Sequence, residues 1–276
     1  MAARSRSVHS SVLLKIFADF PDTSGQVVGF VGKIKYMYKH LFFDLDNTVW
    51  DFDLNSFHAI QKVYLKYGLP EPDYAGFFEV YTRINDSLWE LYRNNKIQKQ
   101  ELAAQRFNLA FSETGVSGID GLEFNNRYLE QMPMQTRLCD GAHEVLEQLS
   151  KRYQLHIITN GFIEVQHKKL ENSNLRQFFN RIFISEEIKA PKPSREIFMY
   201  ALKSSNARKR ESLMIGDSWE VDIIGAMDFG LDQVHFAPHL QTTELNIEEK
   251  IVISQSTTKT YRITYLKGLF NILKLS

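Results

Sequence analysis

Three short polar motifs and one lysine in this sequence have the types and spacing for chemistry on a phosphate. Asp44-Leu45-Asp46-Asn47-Thr48 closes the apolar run HLFFD at 40–44. Thr159-Asn160-Gly161 closes the run at 155–159, and Gly216-Asp217-Ser218 closes 212–216, with Asp222 five residues after Asp217. Between the last two lies Lys192, within Ala190-Pro191-Lys192-Pro193. On an extended chain Asp44 and Asp46, at i and i+2, point the same way. Gathering such carboxylates with a third is costly unless a cation sits among them. Oxygen-only ligands select a hard ion, and few protein ligands with room for water suit Mg2+. A hydroxyl, backbone N–H groups and a lysine suit a phosphate dianion. Each piece alone has a simpler reading. An Asp after a strand caps a helix, Thr159-Asn160-Gly161 makes a turn, Lys192 is solvated, and Asp222 is a helix-surface acid. The combination is much harder to explain that way.

The elements that must position these residues follow from periodicity. The pattern reads helix 141–151, strand 155–159, helix 162–172, strand 181–185, helix 194–204, strand 212–216, helix 219–229 and strand 233–236. That alternation predicts an α/β fold with a Rossmann-like parallel sheet core flanked by helices. Ligands of such sheets bind beyond the carboxyl ends of the strands, where all the motifs fall. The stretch after the first strand differs. Phe57, Ile60, Tyr64 and Tyr67 form one helical stripe that Gly68-Leu69-Pro70 stops. Residues 73–131 continue with helical stripes through Phe77/Tyr81/Leu88, Leu102/Phe107/Phe111 and Leu122/Phe124/Tyr128, and Met132-Pro133-Met134 reads as a linker. The expected division is an N-terminal extension at 1–36, a catalytic core at 37–53 and 134–276, and an inserted all-helical cap domain at 54–133. Past residue 240, Tyr261-Arg262-Ile263 reads as extended, and Leu266, Leu269, Phe270 and Leu273 form a terminal helical stripe.

Composition removes other classes. The 276 residues carry 33 Lys plus Arg and 33 Asp plus Glu, so there is no general electrostatic reason to bind a nucleic acid polymer. With one cysteine, Cys139, there is no internal disulfide framework, and a reducing, cytoplasmic home is expected. No apolar run is long enough to predict a membrane span. The opening MAARSRSVHSSVLLKIF is basic and free of acids; it reads as a transit peptide, an unstructured tail, or a start codon placed too far upstream.

In order and spacing, the motifs resemble the four signatures of the haloacid dehalogenase-like hydrolases. Asp44 to Thr48 is similar to the first, Thr159-Asn160 to the second, Lys192 to the third, and Gly216-Asp217 to Asp222 to the fourth. The insert between the first and second resembles the helical-cap phosphatase subgroup. The resemblance implies that Asp44 attacks phosphorus and forms an aspartyl-phosphate. It makes Asp46 the acid for the leaving oxygen and the base for water. Thr159, Asn160 and Lys192 would bind phosphate. Asp217, the Asp44 carboxylate and the Asp46 carbonyl would hold Mg2+, and Asp222 would stand behind them or pair with Lys192. Dehalogenating members lack the second acid, so Asp46 favours phosphate chemistry. In the cap, Tyr81 to Trp89 is similar to bacterial house-cleaning 5′-nucleotidases, which implies a small phosphorylated metabolite such as a nucleoside 5′-monophosphate. Asn85 offers a donor and an acceptor, Trp89 a face for a base, and Arg83 a partner for an anion. Trp50 to Asp53 could form a hinge or lid. A sugar phosphomutase of the same fold and a non-catalytic interaction protein are the alternatives.

Overall fold

A computed structural model describes residues 38–240 and 258–275. The expected extension at 1–36 lies outside the described residues. The sheet comprises β1 (His40–Phe43), β2 (Gln154–Thr159), β3 (Arg181–Ile184), β4 (Ser212–Gly216), β5 (Asp232–Phe236) and β6 (Thr260–Ile263). The strands run parallel in the order β3-β2-β1-β4-β5-β6. β1 is buried along its whole length, as expected of a central strand covered on both faces. Alternation decides which side each residue enters. Leu41 and Phe43 join Ile157, Leu213 and Ile215 in one core, whereas Phe42 joins Phe198, Met214 and Phe229 in the other.

The chain passes from β1 to β2 and β3 on one side, and reaches β4 on the other side only later. The carboxyl ends of β1 and β4 therefore flank a topological switch point, where diverging crossovers leave a crevice. The register pairs Phe43 with both Ile157 and Ile215. Asp44 thus comes level with Ile158 and Gly216, one step before Thr159 and Asp217.

Between β1 and β2 stand α1 (Phe52–Lys66), α2 (Tyr74–Arg93), α3 (Lys99–Thr114) and α4 (Gly121–Gln131), an all-helical insert. Asp51 accepts from Leu54 N–H at 3.1 Å and starts α1 two residues ahead of the expected helical block. Asp120 caps α4 in the same way through Glu123 N–H at 2.7 Å. Helical stripes from all four bury Tyr64, Phe77, Tyr81, Phe107, Phe124 and Tyr128 together. Phe107 lies 4.8 Å from the Tyr81 ring and 4.6 Å from that of Phe124. Leu122 leaves its expected stripe and is exposed, because residues two apart on a helix do not share a face. Met132-Pro133-Met134 is less free than a linker: Met132 and Pro133 are buried, and Asn172 Nδ2 donates to the Pro133 carbonyl at 2.8 Å.

The sheet is flanked by α5 (Ala142–Ser150), α6 (Ile163–Asn172), α7 (Ser185–Ile188), α8 (Arg195–Ser204) and α9 (Gly225–Phe229), with α10 (Gly268–Leu273) near the end. A wide π-type turn at Trp219–Ile224 leads into α9, where the sequence predicts an uninterrupted helix. No helix among the described residues is long and apolar enough to cross a membrane.

Two buried imidazoles in the sheet give it an acid sensitivity. His40 Nδ1 lies 3.1 Å from His156 Nε2, and the rings stack between neighbours that include Phe42. His156 Nδ1 has no hydrogen-bond partner among the described residues. Burial, then His40 and Arg181, push the His156 pKa from 6.5 down to about 3. Between those values the unfolded chain binds a proton that the folded chain refuses, so this stability is present above pH 6.5 and lost as pH falls. The urea midpoint should therefore drop between pH 6.5 and 4 more steeply in wild type than in His156→Phe. Equal slopes would exclude this origin.

Candidate active site

The site begins where β1 ends. Asp44 N–H donates to the Ile215 carbonyl at 2.8 Å, which ties the residue to β4, and its side chain is buried. The chain then turns back on itself. Asn47 adopts φ 56°, a left-handed value that Asn tolerates, and its N–H donates to the Trp50 carbonyl at 2.7 Å. Trp50 is fully buried and donates from Nε1 to Ser173 Oγ at 3.1 Å. The first residue of the expected hinge is therefore a fixed anchor.

Lys192 is the centre of charge. Its Nζ lies 2.5 Å from Asp44 Oδ1 and 2.6 Å from Asp222 Oδ1, with the lysine 1 % exposed. Burial works against the ammonium, but Asp222 and Asp44 together outweigh it and hold its pKa above the usual lysine value. Burial drives the Asp44 carboxyl upward; Lys192 opposes this, while Asp222, Asp217 and Asp46 add to it. The Asp217 carboxyl is pushed up to about 7, by burial first and then by Asp222, against the Thr48 hydroxyl that donates to it at 3.0 Å. Asp222 reaches Lys192 by lying against Gly216. A Cβ at 216 would stand 2.3 Å from Asp222 Oδ2, so only glycine fits there. Asp44, Asp217 and Asp222 bring carboxylate oxygens within 4.8 Å of one another. This oxygen-only set, carrying more acid than Lys192 offsets, fits a hard divalent cation.

Two side chains differ from the sequence expectation. Asp46 stays out of the carboxylate cluster. Its Oδ1 accepts from Lys169 Nζ at 2.7 Å and its Oδ2 from Gln166 Nε2 at 2.9 Å. The i, i+2 rule holds along a strand, but β1 ends at Phe43 and the chain is already turning. Asn160, expected on phosphate, has its amide engaged at both ends by the Lys192 main chain: Nδ2 donates to the carbonyl at 2.9 Å, and Oδ1 accepts from the N–H at 2.8 Å. Asn160 thus fixes Lys192. Thr159 Oγ1 accepts from Gln166 Nε2 at 2.7 Å, so one glutamine ties Thr159 to Asp46.

A cavity of about 290 Å³ opens above these groups, lined from the sheet side by Asp44, Asp46, Thr159, Asn160, Lys192, Asp217 and Asp222. The insert supplies Asn85, Trp89 and Arg106, and the α6 side supplies Phe162 and Lys169. Trp89 lies 5.1 Å from the Phe162 ring. Arg83 does not join them. It is exposed and pairs with Glu113 on another helix, because positions 83 and 85 look to different sides of α2.

A family model described as haloacid dehalogenase-like hydrolase matches residues 41–236. The chain belongs to the haloacid dehalogenase-like hydrolases. Pyrimidine 5′-nucleotidase PynA of Streptococcus pneumoniae is 35% identical over 73% of this chain and 85% of its own. Pyrimidine 5′-nucleotidase YjjG of Escherichia coli is 33% identical over 69% and 82%. The crystal structure of the Bacillus subtilis HAD-hydrolase YfnB, bound to magnesium and described as revealing interdomain movement, aligns with a TM-score of 0.74 at 29% identity, covering 87% of this chain and all of that one.

Sequence reasoning about this haloacid dehalogenase-like hydrolase missed Gln166, Lys169 and Arg106. All three are polar residues on otherwise apolar helical faces: Val165/Gln166/Lys169/Leu170 in α6 and Leu102/Arg106/Phe107 in α3. That interruption was the available signal, since a buried polar group needs a partner or a task.

Proposed function

We propose that this hydrolase is a Mg2+-dependent phosphomonoesterase that works through an aspartyl-phosphate on nucleoside 5′-monophosphates or similar small phosphates. The observation that carries the reading is Lys192, buried between Asp44 and Asp222 at the floor of the cavity. In this reading the Asp44 carboxylate attacks phosphorus as the bond to the leaving oxygen breaks, and Asp46 gives that oxygen a proton. Asp46 then takes a proton from the water that attacks the aspartyl-phosphate, which releases phosphate and frees Asp44. Lys192 keeps the nucleophile ionised and offsets charge on the transferring group, while the Thr159 hydroxyl donates to a phosphate oxygen. Asn160 acts through Lys192. Asp44 and Asp217, with the Asp46 main-chain carbonyl, would hold Mg2+, which when bound neutralises charge on the phosphoryl oxygens. The pyrimidine 5′-nucleotidase activity for which PynA and YjjG are named supports a nucleotide, as do the Trp89 and Phe162 rings on the cavity wall. The magnesium bound by YfnB supports the metal. The helical insert, at 54–133, serves as a cap, and the single cysteine supports a cytoplasmic home.

Phosphate release from a panel of nucleoside and sugar monophosphates with Mg2+ tests the reading. No release from any of them would sink it, and conversion of a hexose 1-phosphate to its 6-phosphate would favour a mutase instead.

Lys169 acts as a positioning residue in this scheme. Burial lowers its pKa, Asp46 opposes that, and its Nζ also sits 4.2 Å over the Trp50 ring. Lys169→Met should lower kcat by about 10- to 100-fold on an alkyl phosphate, through the misplaced general acid. The loss should be smaller on p-nitrophenyl phosphate, whose leaving group scarcely needs a proton. Equal losses on both would mean that Lys169 is only structural.

A further inference from the structure

The most unusual polar group outside the reacting centre is the Arg106 guanidinium. It is 2 % exposed, yet it lines the cavity. Its Nε donates to Asn125 Oδ1 at 2.8 Å, its Nη2 to the same oxygen, and its Nη1 to Asn85 Oδ1 at 3.3 Å. Both acceptors are neutral amides, so neither cancels its charge. The guanidinium also lies 5.1 Å from the Tyr128 ring. Asn85, Arg106 and Asn125 come from α2, α3 and α4, one from each apolar stripe. Three helices thus give up one buried apolar position each to build this corner. Such an arrangement in a core of Phe and Tyr is expensive unless something else uses it.

Donor arithmetic says what that is. Three of the five guanidinium N–H groups are engaged, which leaves two. Asn85 Oδ1 receives both Arg106 Nη1 and the Tyr81 hydroxyl, and its NH2 faces the Asp86 carboxylate, so the two remaining Arg106 N–H groups are the donors left for a ligand. The corner therefore offers donors and wants acceptors. Asp86 and Arg93, on the same cavity wall, offset one another, so beyond Arg106 itself nothing there calls for an anion. A neutral carbonyl oxygen on a flat ring meets both conditions, with Trp89 and Phe162 as apolar walls.

We propose that Arg106, supported by Asn85 and Asn125, is the specificity determinant that binds a ring carbonyl of an oxo-pyrimidine base while the 5′-phosphate lies at Asp44 and Lys192. This rests on the nucleotide reading above. The test compares wild type, Arg106→Met and Arg106→Lys on uridine 5′-monophosphate, phenyl phosphate and phosphoglycolate. Removing a charge-assisted donor from a buried acceptor should lower kcat/KM of Arg106→Met for uridine 5′-monophosphate by about 10- to 100-fold, mostly through KM. That loss should exceed the loss on phenyl phosphate, which has no carbonyl, by at least about tenfold. Arg106→Lys, which keeps the buried charge but not the fork, should fall between wild type and Arg106→Met. Equal losses on all three substrates would make Arg106 a structural residue and overturn the proposal. A larger loss on phosphoglycolate would overturn it in favour of a carboxylate reader. If wild type shows no preference for uridine 5′-monophosphate over phenyl phosphate, the nucleotide reading itself fails and the proposal falls with it. If that preference stands and Arg106→Met retains it, the Arg106 assignment alone fails.

Discussion

Asp44→Asn should lower phosphate release by roughly 10³- to 10⁶-fold, the range seen when a covalent nucleophile is removed. The amide keeps the shape of the side chain but cannot attack phosphorus. The protein should still fold. Burial and the neighbouring Asp217 and Asp222 already push against an ionised Asp44, and only Lys192 favours it. A neutral amide relieves that repulsion at the expense of one half of the lysine's pairing. The thermal midpoint without added metal should therefore stay close to that of wild type. A second readout follows from the oxygen cluster. Wild type should be stabilised by added Mg2+, through binding to the folded state alone, and Asp44→Asn should gain less. Unchanged phosphate release in a folded Asp44→Asn variant would show that another group is the nucleophile.

Lys192→Met should have the largest effect on stability. The ammonium separates two buried carboxylates, at 2.5 and 2.6 Å. Removing one member of a buried ionic group leaves the others uncompensated, which costs about 3–5 kcal/mol. In a chain of this size that corresponds to a fall in the thermal midpoint of roughly 6 to 20 °C. Activity should fall by at least about 10²-fold, because charge stabilisation at the transferring group is lost. Adding Asp222→Asn should restore part of the stability, since it removes one of the stranded carboxylates, but should not restore turnover. Differential scanning calorimetry of the single and double variants decides this. If Lys192→Met is as stable as wild type, the buried triad is not the charge centre described here.

Much of this architecture was legible in residue order. The β1, β2 and β4 runs, the glycine and proline stops, and the aromatic stripes of the insert are local signals, set by side-chain period and backbone sterics. Asp44, Thr159, Lys192 and Asp217 could be read as a set because each follows a strand or opens a helix of a parallel sheet, and those ends share one edge. Three side chains stand elsewhere than residue spacing suggests. Arg83 faces away from the cavity, Asn160 holds the Lys192 main chain, and Asp46 turns toward Lys169 and Gln166. All three depend on rotation about a helix or on chain direction past a strand end, which spacing alone does not fix.

The sequence by itself determined which elements form, that a helical insert interrupts a parallel sheet after its first strand, and which acids and lysine could meet at its edge. Those follow from hydrophobic period and from the rule that parallel strands end together. Only the tertiary structure decided the pairings. Lys192 lies between Asp44 and Asp222, Asp46 is held by α6, and Arg106 is lodged among neutral amides from two other helices. Each pairing joins residues brought together by packing rather than by chain neighbourhood. Its energy depends on burial and on distances of a few ångströms, quantities that exist only once the chain has closed on itself.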